Sequence, residues 1–249
     1  MRRVTRGAVS PRVSQYLSAK QMAVNTGADV EKTWKHARRT KTVGESLLGT
    51  LRYMSGSNER CMYCNDSRGV DIEHFWPKVP YPNKAFAWQN LLLCCTGCNR
   101  QKGDQFPLDA AGDPLFVDPT SEEPWQFLNF VPKTGELTPC WNHAVGDFDA
   151  KGKVTTDAKY LPLNYEAVVN RRLAEYRRLR SAVTQFIEDA ANGDEGQALD
   201  ALLGEVQKLT DFGLDRWIFH FGGQDEQPFS DMRTSFPDSW GELQEQTCI

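Results

Sequence analysis

Four cysteines form two Cys-x-x-Cys pairs that can together bind one metal ion. Cys61 and Cys64 make the first pair, and Cys95 and Cys98 make the second pair after 30 intervening residues. Four thiolates in a tetrahedral arrangement are the usual ligands of a structural zinc site. The spacing therefore predicts a structural Zn²⁺ site. Cys94 stays open as an alternative to Cys95, although it would lengthen the gap in the second pair to three residues.

One acidic residue, one histidine and two asparagines accompany these pairs and have the chemistry to hydrolyse a phosphodiester bond. An imidazole has an ordinary pKa of about 6.5, so His74 can take a proton from water near neutral pH. Oxygen donors suit Mg²⁺ or Mn²⁺, which makes Glu73 and the side-chain amide of Asn99 candidate ligands for a catalytic cation. Asn90 is interpreted as a hydrogen-bonding brace that orients His74. These residues predict a metal-dependent nuclease site.

Each of these residues also has an ordinary structural explanation. A Glu-His pair on a strand is more commonly a surface pair or a satisfied core group, and a single asparagine is commonly a turn or helix residue. The positions of the residues relative to the cysteine pairs are what favours catalysis. The alternative from another class is a non-catalytic zinc module that binds nucleic acid or protein.

The charges are distributed unevenly along the chain, although the net charge is only −4. Residues 1–180 contain 26 Lys+Arg against 19 Asp+Glu, a balance of +7, whereas residues 181–249 contain 3 against 14, a balance of −11. Attraction to phosphate explains a basic region that contains such a motif. Lys78, Arg100 and Lys102 are the candidate phosphate contacts, with solvated surface charge as the alternative explanation.

Hydrophobic periodicity predicts helices on both sides of a segment of short strands. Before the first cysteine pair we expect helices from Ser10-Pro11 to Gly27, over 29–39 and over 44–54. Around the cysteines we expect a strand over 70–75, a strand over 91–93 and a helix from Thr96. After these come a hairpin near Gly152, a long helix capped by Asn164 and a helix over 195–209.

These elements predict an α+β fold in which a zinc-staked ββα nuclease core lies between helical regions. We expect four segments along the chain. They are an N-terminal helical segment over 1–57, the nuclease core with its zinc knuckles over 58–120, an irregular connector rich in Pro and Gly over 121–160, and a C-terminal helical region with an acidic end over 161–249.

The rest of the composition indicates a soluble protein. The longest apolar run, 91–95, is too short to cross a bilayer, and the first residues lack the hydrophobic stretch of an export signal. Seven cysteines, an odd number without such a signal, argue against a secreted disulfide framework. We therefore expect a cytoplasmic protein without a membrane partner.

In this order the motifs resemble the HNH endonuclease superfamily and its ββα-metal finger. The resemblance rests on Glu-His-Phe-x-Pro-Lys at 73–78 and on Trp-x-Asn-Leu-Leu-Leu-x-Cys-x-x-Cys-Asn-x-x-Lys-Gly at 88–103, followed by Phe-Pro-Leu at 106–108, Asp-Pro at 118–119 and Leu-x-Leu-Asn at 161–164. Within the superfamily the chain looks most like the nuclease subunit of Septu-type and retron-associated anti-phage defence systems. The likeness is strongest over 61–119.

The resemblance implies roles for individual residues and for a partner. His74 corresponds to the general base, Glu73 and Asn99 to the ligands of a catalytic Mg²⁺ or Mn²⁺, and Asn90 to the brace of the loop. The four cysteines of the two pairs correspond to the zinc ligands. The family also implies a partner ATPase of the ABC/SMC-like kind that restrains or licenses the nuclease.

Two residues depart from the common superfamily pattern. Glu73 stands where aspartate is more usual, and Asn99 stands where the final histidine is more usual. A neutral amide binds a hard cation more weakly than a carboxylate does, so we expect cleavage to need millimolar Mg²⁺ or to prefer Mn²⁺.

The predicted function is therefore that of an HNH endonuclease acting in prokaryotic anti-phage defence. Its expected substrate is DNA, with RNA as the second choice, and its expected partner is the ABC/SMC-like ATPase. A stand-alone restriction-type HNH enzyme is the alternative within the nuclease class, and the absence of a recognisable DNA-reading helix in the sequence argues against it.

Overall fold

The computed structural model describes residues 1–247, which form an α+β fold of helices around three small antiparallel sheets. The N-terminal part is helical. Its elements are α1 (Pro11–Asn25), α2 (Val30–Ala37) and α3 (Leu48–Met54), with a π-helical turn (Thr42–Leu47) leading into α3. Ser10 caps α1 and Asp29 caps α2 through their side chains, which satisfy backbone amides that the first turn leaves free.

A hairpin and a helix follow the first cysteine pair. They are β1 (Asp71–His74), β2 (Leu91–Cys94) and α4 (Thr96–Lys102). The two strands pair antiparallel, with His74 opposite Leu91 and Asp71 opposite Cys94. All four residues of β2 are buried, as expected of a strand that is covered on both faces. The ββα order and the approximate bounds agree with the sequence-based expectation.

The next segment holds two further hairpins and a short helix. These elements are β3 (Leu128–Phe130) with β4 (Leu137–Pro139), β5 (Trp141–Asn142) with β6 (Asp147–Phe148), and α5 (Ala150–Thr156). The hairpin expected near Gly152 is wrong, because Gly152 lies inside α5. A Cβ at this position would come within 2.3 Å of the carbonyl oxygen of Phe127 and 2.8 Å of Pro139. The glycine therefore allows close helix packing.

The C-terminal region is helical as expected. It consists of α6 (Glu166–Asn192), α7 (Glu195–Val206), α8 (Leu214–His220), α9 (Phe229–Ser235) and α10 (Pro237–Gln246). The expectation that Asn164 caps the long helix is wrong, since the cap residue is Tyr165 and makes no side-chain cap bond. Asn164 instead accepts from the amide of Leu137 at 2.8 Å and donates to its carbonyl at 2.7 Å, which ties the start of α6 to β4.

Two hydrophobic cores hold these elements together. The larger core runs from Val4 through Phe116 and Leu179 to Trp217 and Leu243, so it unites the hairpin region with the C-terminal helices. The smaller core packs α1, α2 and the π-helical turn against the loop between β1 and β2. Its members include Leu17, Trp34, Leu47, Phe86 and Leu91. This second core fixes α2 beside the hairpin.

No helix within residues 1–247 is both long enough and apolar enough to cross a lipid bilayer. The longest helix, α6, buries Arg172 and Glu175 on its core face and exposes other charged residues elsewhere. Both guanidinium Nη atoms of Arg172 donate to backbone carbonyls, one to Gly135 and the other to Leu163, at 2.8 Å each. Two of the three guanidinium nitrogens therefore have hydrogen-bond partners, whereas the buried Nε has none among the described residues.

Candidate functional site

The two Cys-x-x-Cys pairs come together in space. The ligand atoms of Cys61, Cys64, Cys95 and Cys98 all lie within 4.8 Å of one another, and all four residues are buried. A tetrahedral zinc ion with Zn–S bonds of about 2.3 Å requires sulfur atoms about 3.8 Å apart, and the Sγ atoms of Cys64 and Cys95 are 3.9 Å apart. Four thiol groups at this separation fit one zinc ion.

Local backbone geometry places the second pair at the start of α4. Cys95 is the cap residue of this helix, and its Sγ accepts from the amide of Cys98 at 3.4 Å. The cluster thereby connects the turn before β1 to the helix after β2. A metal ion at this position would join the three elements of the ββα unit, none of which is longer than seven residues.

Cys94 lies next to the cluster but outside the four-cysteine set. The Sγ of Cys94 is 3.7 Å from the Sγ of Cys61. Cys94 is the last residue of β2, where it pairs with Asp71. Of the two alternatives from the sequence, Cys95 belongs to the four-cysteine set and Cys94 does not.

Three of the predicted site residues, Glu73, His74 and Asn99, line one cavity of about 330 Å³ beside the hairpin. Glu73 and His74 reach it from the end of β1, and Asn99 reaches it from α4. Adjacent strand residues normally point to opposite faces, but His74 is the last residue of β1, where the regular strand ends. The structure thus brings Glu73, His74 and Asn99 to a common opening.

The side chain of His74 is held in a defined orientation at the edge of this cavity. Its Nε2 lies 3.0 Å from the carbonyl oxygen of Ala85, and the ring meets the edge of Trp34 with centroids 4.4 Å apart. Because a carbonyl can only accept, Nε2 carries the proton in this contact and Nδ1 keeps the lone pair. Burial lowers the pKa of His74 to about 3, with a further lowering by Lys78, so the imidazole is neutral at neutral pH.

Glu73 forms a buried ion pair with a residue that the sequence placed at the surface. The Nζ of Lys102 lies 2.7 Å from Glu73 Oε1 and 2.9 Å from the carbonyl oxygen of His74, and the Lys102 side chain is fully buried. Burial raises the pKa of Glu73, and the charge of Lys102 opposes that rise. The prediction that Lys102 binds a substrate phosphate is wrong, because its ammonium group is enclosed and already bonded.

Asn90 braces the loop that contains Ala85, whose carbonyl is the hydrogen-bond partner of His74. Its Oδ1 accepts from the amide of Trp76 at 2.7 Å, while its Nδ2 donates to the carbonyls of Trp76 at 3.0 Å and Lys84 at 2.9 Å. These bonds use both polar atoms of a side chain that is buried. Asn90 therefore acts on the position of Ala85, next to Lys84, and does not line the cavity.

The remaining predicted phosphate contacts differ in position. Lys78 is half-buried and lines the same cavity as His74, whereas Arg100 is exposed on α4 and is not part of the lining. The motifs gave no sign of the contribution of α2, which adds Trp34 and Lys35 to the wall, or of Arg38, which follows it directly. Helical spacing put these residues on neighbouring turns, but the signal that α2 packs on the hairpin lies in the tertiary fold.

Known proteins with similar sequences include two Septu proteins PtuB. The chain is 30% identical over 158 residues to the one from Bacillus thuringiensis, covering 60% of this chain and 56% of that protein. It is 31% identical over 116 residues to the one from Bacillus mycoides, covering 34% of this chain and 39% of that protein. The chain thus aligns with little more than half of the length of the first relative and less of the second.

A third similar protein comes from a phage. The chain is 32% identical over 84 residues to protein ea31 of Escherichia phage lambda, covering 31% of this chain and 28% of that protein. No family model matches the chain. The similarity to the PtuB proteins agrees in part with the Septu-type resemblance seen in the motifs.

Proposed function

We propose that this protein is a metal-dependent endonuclease that hydrolyses phosphodiester bonds in DNA. The observation that carries the proposal is the convergence of Glu73, His74 and Asn99 on one cavity beside a four-cysteine cluster. A histidine, a carboxylate and an amide around a cavity of about 330 Å³ provide a proton acceptor and hard oxygen donors in one place.

In the proposed reaction, His74 acts as the general base through Nδ1. Its Nε2–H bond to Ala85 fixes the ring so that the lone pair of Nδ1 is available for a proton from the attacking water. The low pKa of the imidazole applies to the cavity without substrate. A phosphodiester anion in the cavity would favour the protonated imidazole and raise this pKa, which would increase the basicity of His74.

Glu73 and Asn99 are the proposed ligands of a divalent cation. Glu73 uses Oε1 for Lys102, which leaves Oε2 as the donor for the cation, and the amide oxygen of Asn99 supplies the second protein ligand. When bound, Mg²⁺ or Mn²⁺ would stabilise the negative charge that develops on the phosphate oxygens and the leaving group. The two residues suit a hard cation because both offer oxygen.

We also propose that the protein is the effector of a prokaryotic anti-phage defence system. The similarity to Septu proteins PtuB supports this assignment. The proposed partner that controls cleavage is an ABC/SMC-like ATPase, as the Septu-type resemblance of the motifs implies. The zinc ion in this proposal is structural. Its four proposed ligands are Cys61, Cys64, Cys95 and Cys98.

A cleavage assay with purified zinc-loaded protein tests the nuclease assignment. DNA and RNA of the same sequence are incubated with Mg²⁺, Mn²⁺ or Ca²⁺, both with the protein alone and with a candidate ABC/SMC-like ATPase added. We expect cleavage of DNA with Mg²⁺ or Mn²⁺ and its loss when EDTA is added. Full cleavage in EDTA, or with Ca²⁺ alone, would contradict the proposed site. Binding of nucleic acid without cleavage under every condition would favour the non-catalytic zinc module.

A further inference from the structure

Five exposed basic side chains lie close together within residues 32–41, a segment that begins inside α2. We call this group the basic segment; its members are Lys32, Lys35, Arg38, Arg39 and Lys41. All five are exposed, and residues 32–41 contain no acidic residue. Within the described part of the chain, none of the five forms an ion pair, although eleven ion pairs occur there. The basic segment therefore has uncompensated positive charge.

The basic segment borders the cavity of His74. Lys35 and Arg38 line this cavity on the α2 side, and Lys78 lines it from the loop after β1. Positive charge thus surrounds the opening into which a scissile phosphate would enter. An anion in a cavity with such a wall is attracted more strongly than one on an open surface, because low-dielectric walls focus the field.

The position of the basic segment relative to His74 is fixed by packing. Trp34, one residue before Lys35, is buried against His74 and lies 5.3 Å from Phe86, measured between ring centroids. Trp34 and Ala37 both belong to the smaller core, so α2 presents its opposite face outward. Lys35 is consequently carried by a helix that is packed beside the site, and Arg38 follows directly at the C-cap of that helix.

Two carboxylates lie in the same wall, and only one of them forms an ion pair. Glu73 is paired with Lys102, whereas Glu31 is exposed at the rim and lies one turn before Lys35. Lys35, Arg38 and Lys78 therefore outnumber the single unpaired carboxylate. The balance of charge around the opening is positive.

We propose that the basic segment is the track on which the sugar–phosphate backbone of duplex DNA lies, with Lys35 and Arg38 contacting phosphates next to the one that is cleaved. This inference rests on the proposed nuclease function and adds the surface that binds the substrate. Exposed lysine and arginine side chains that neutralise backbone phosphates release counterions, so the contribution of each is measurable from the salt dependence of binding.

The test compares two double substitutions that each remove two exposed cations. Lys35→Gln/Arg38→Gln changes the basic segment, and Arg177→Gln/Arg180→Gln on α6 is the matched control, since neither of its residues lines the cavity. Dissociation constants for a short DNA duplex are measured at several salt concentrations by fluorescence anisotropy, without added divalent cation. All four side chains are exposed, so both variants are expected to keep the melting temperature of the parent protein.

We expect the slope of log Kd against log salt concentration to fall by about 1.8 for Lys35→Gln/Arg38→Gln, which is about 0.9 for each lost phosphate contact. The control should keep the parent slope, and so should the charge-preserving variant Lys35→Arg/Arg38→Lys. An unchanged slope for the glutamine variant, or an equal fall in the control, would overturn the proposal. Retention of the same variants on immobilised polyglutamate is measured in parallel. If Lys35→Gln/Arg38→Gln binds DNA like the parent but is no longer retained on polyglutamate, the proposal is overturned in favour of an acidic protein partner.

The experiment separates this inference from the proposed function. A parent protein that cleaves DNA while the slope stays unchanged in Lys35→Gln/Arg38→Gln would refute the track and leave the nuclease assignment intact. A reduced slope in a protein that cuts no nucleic acid would refute the nuclease assignment and keep the basic segment as a DNA-binding surface.

Discussion

The ammonium group of Lys102 and the carboxylate of Glu73 form an enclosed ion pair at 2.7 Å, and Glu73 also lines the proposed catalytic cavity. Lys102 belongs to α4 and Glu73 to β1, so the pair joins the helix and the first strand of the ββα unit. The second bond of Lys102, to the carbonyl of His74, fixes the backbone of the proposed general base. One lysine therefore positions two residues of the site.

The first prediction concerns the stability of this pair. Lys102→Met should lower the free energy of unfolding by about 3 to 5 kcal/mol, because it leaves the Glu73 carboxylate buried without its partner. The double variant Lys102→Met/Glu73→Gln should recover part of this loss, since no unpaired charge remains. Urea unfolding followed by circular dichroism measures both values. Equal stability of the single variant and the parent protein would contradict the buried pair.

The second prediction distinguishes the zinc ligand from its neighbour. Cys95→Ser should remove bound zinc and lower the melting temperature, because it deletes one of four ligands. Cys94→Ser is the matched control and should retain one zinc per chain, since Cys94 lies outside the ligand set. Elemental analysis of the purified variants gives the zinc content. Loss of zinc from Cys94→Ser with retention in Cys95→Ser would reverse the assignment.

The third prediction concerns the loop brace. Asn90→Ala leaves the amide and the carbonyl of Trp76 without their partner and removes one of the two bonds to the carbonyl of Lys84, so the free energy of unfolding should fall by about 1 to 3 kcal/mol. DNA cleavage should slow as well, because Ala85, which holds His74, adjoins the released carbonyl. Asn83→Ala, at an exposed position in the same loop, should change neither quantity. A normal cleavage rate in Asn90→Ala would contradict the positioning role.

The fourth prediction concerns stability as a function of pH. Burial raises the pKa of Glu175 to about 7, and nearby Asp211 and Asp215 contribute to the rise while Arg2 opposes it. A carboxyl group with a raised pKa binds protons more tightly in the folded state. Its contribution to stability is therefore complete below its unfolded pKa of about 4.3 and is lost as the pH rises to about 7.

Glu175→Gln removes this titration and keeps an oxygen that can accept from the amide of Phe212. The variant should lose less stability than the parent between pH 5 and pH 7 and should be more stable at pH 8 by about 3 to 4 kcal/mol. Asp215, whose pKa burial raises to about 6, keeps part of the slope. Glu188→Gln, at an exposed position on α6, is the control. Parallel stability curves for Glu175→Gln and the parent would contradict the prediction.

Local sequence signals predicted the elements of the ββα unit and the cysteine cluster well. Strand periodicity located β1 and β2, and the Cys-x-x-Cys spacing located the four sulfur atoms that converge. These features depend on residues near one another in the chain, where spacing limits the geometry. The end of β1 at His74 also explains how two neighbouring residues reach one cavity.

Features that depend on contacts between residues far apart in the sequence could not be predicted from local sequence signals. Lysine is usually a surface residue, and only the fold reveals that the buried ammonium group of Lys102 is bonded to Glu73 and to the carbonyl of His74. Asn164 and Gly152 have the usual preferences for a helix cap and a turn, but contacts with β4 and the carbonyl of Phe127 determine their roles. The placement of α2 beside His74 follows from the smaller core.

The most direct test of the central claim is the rate of DNA cleavage by His74→Ala compared with that of His143→Ala, whose histidine is exposed between β5 and β6. Both proteins are assayed with Mg²⁺ or Mn²⁺ after their zinc content and melting temperature have been matched to those of the parent. We predict that His74→Ala loses cleavage by a factor of about 100 or more, as expected for removal of a general base, and that His143→Ala cleaves like the parent. Cleavage at the parent rate by a folded, zinc-loaded His74→Ala protein would contradict the claim that His74 activates the attacking water.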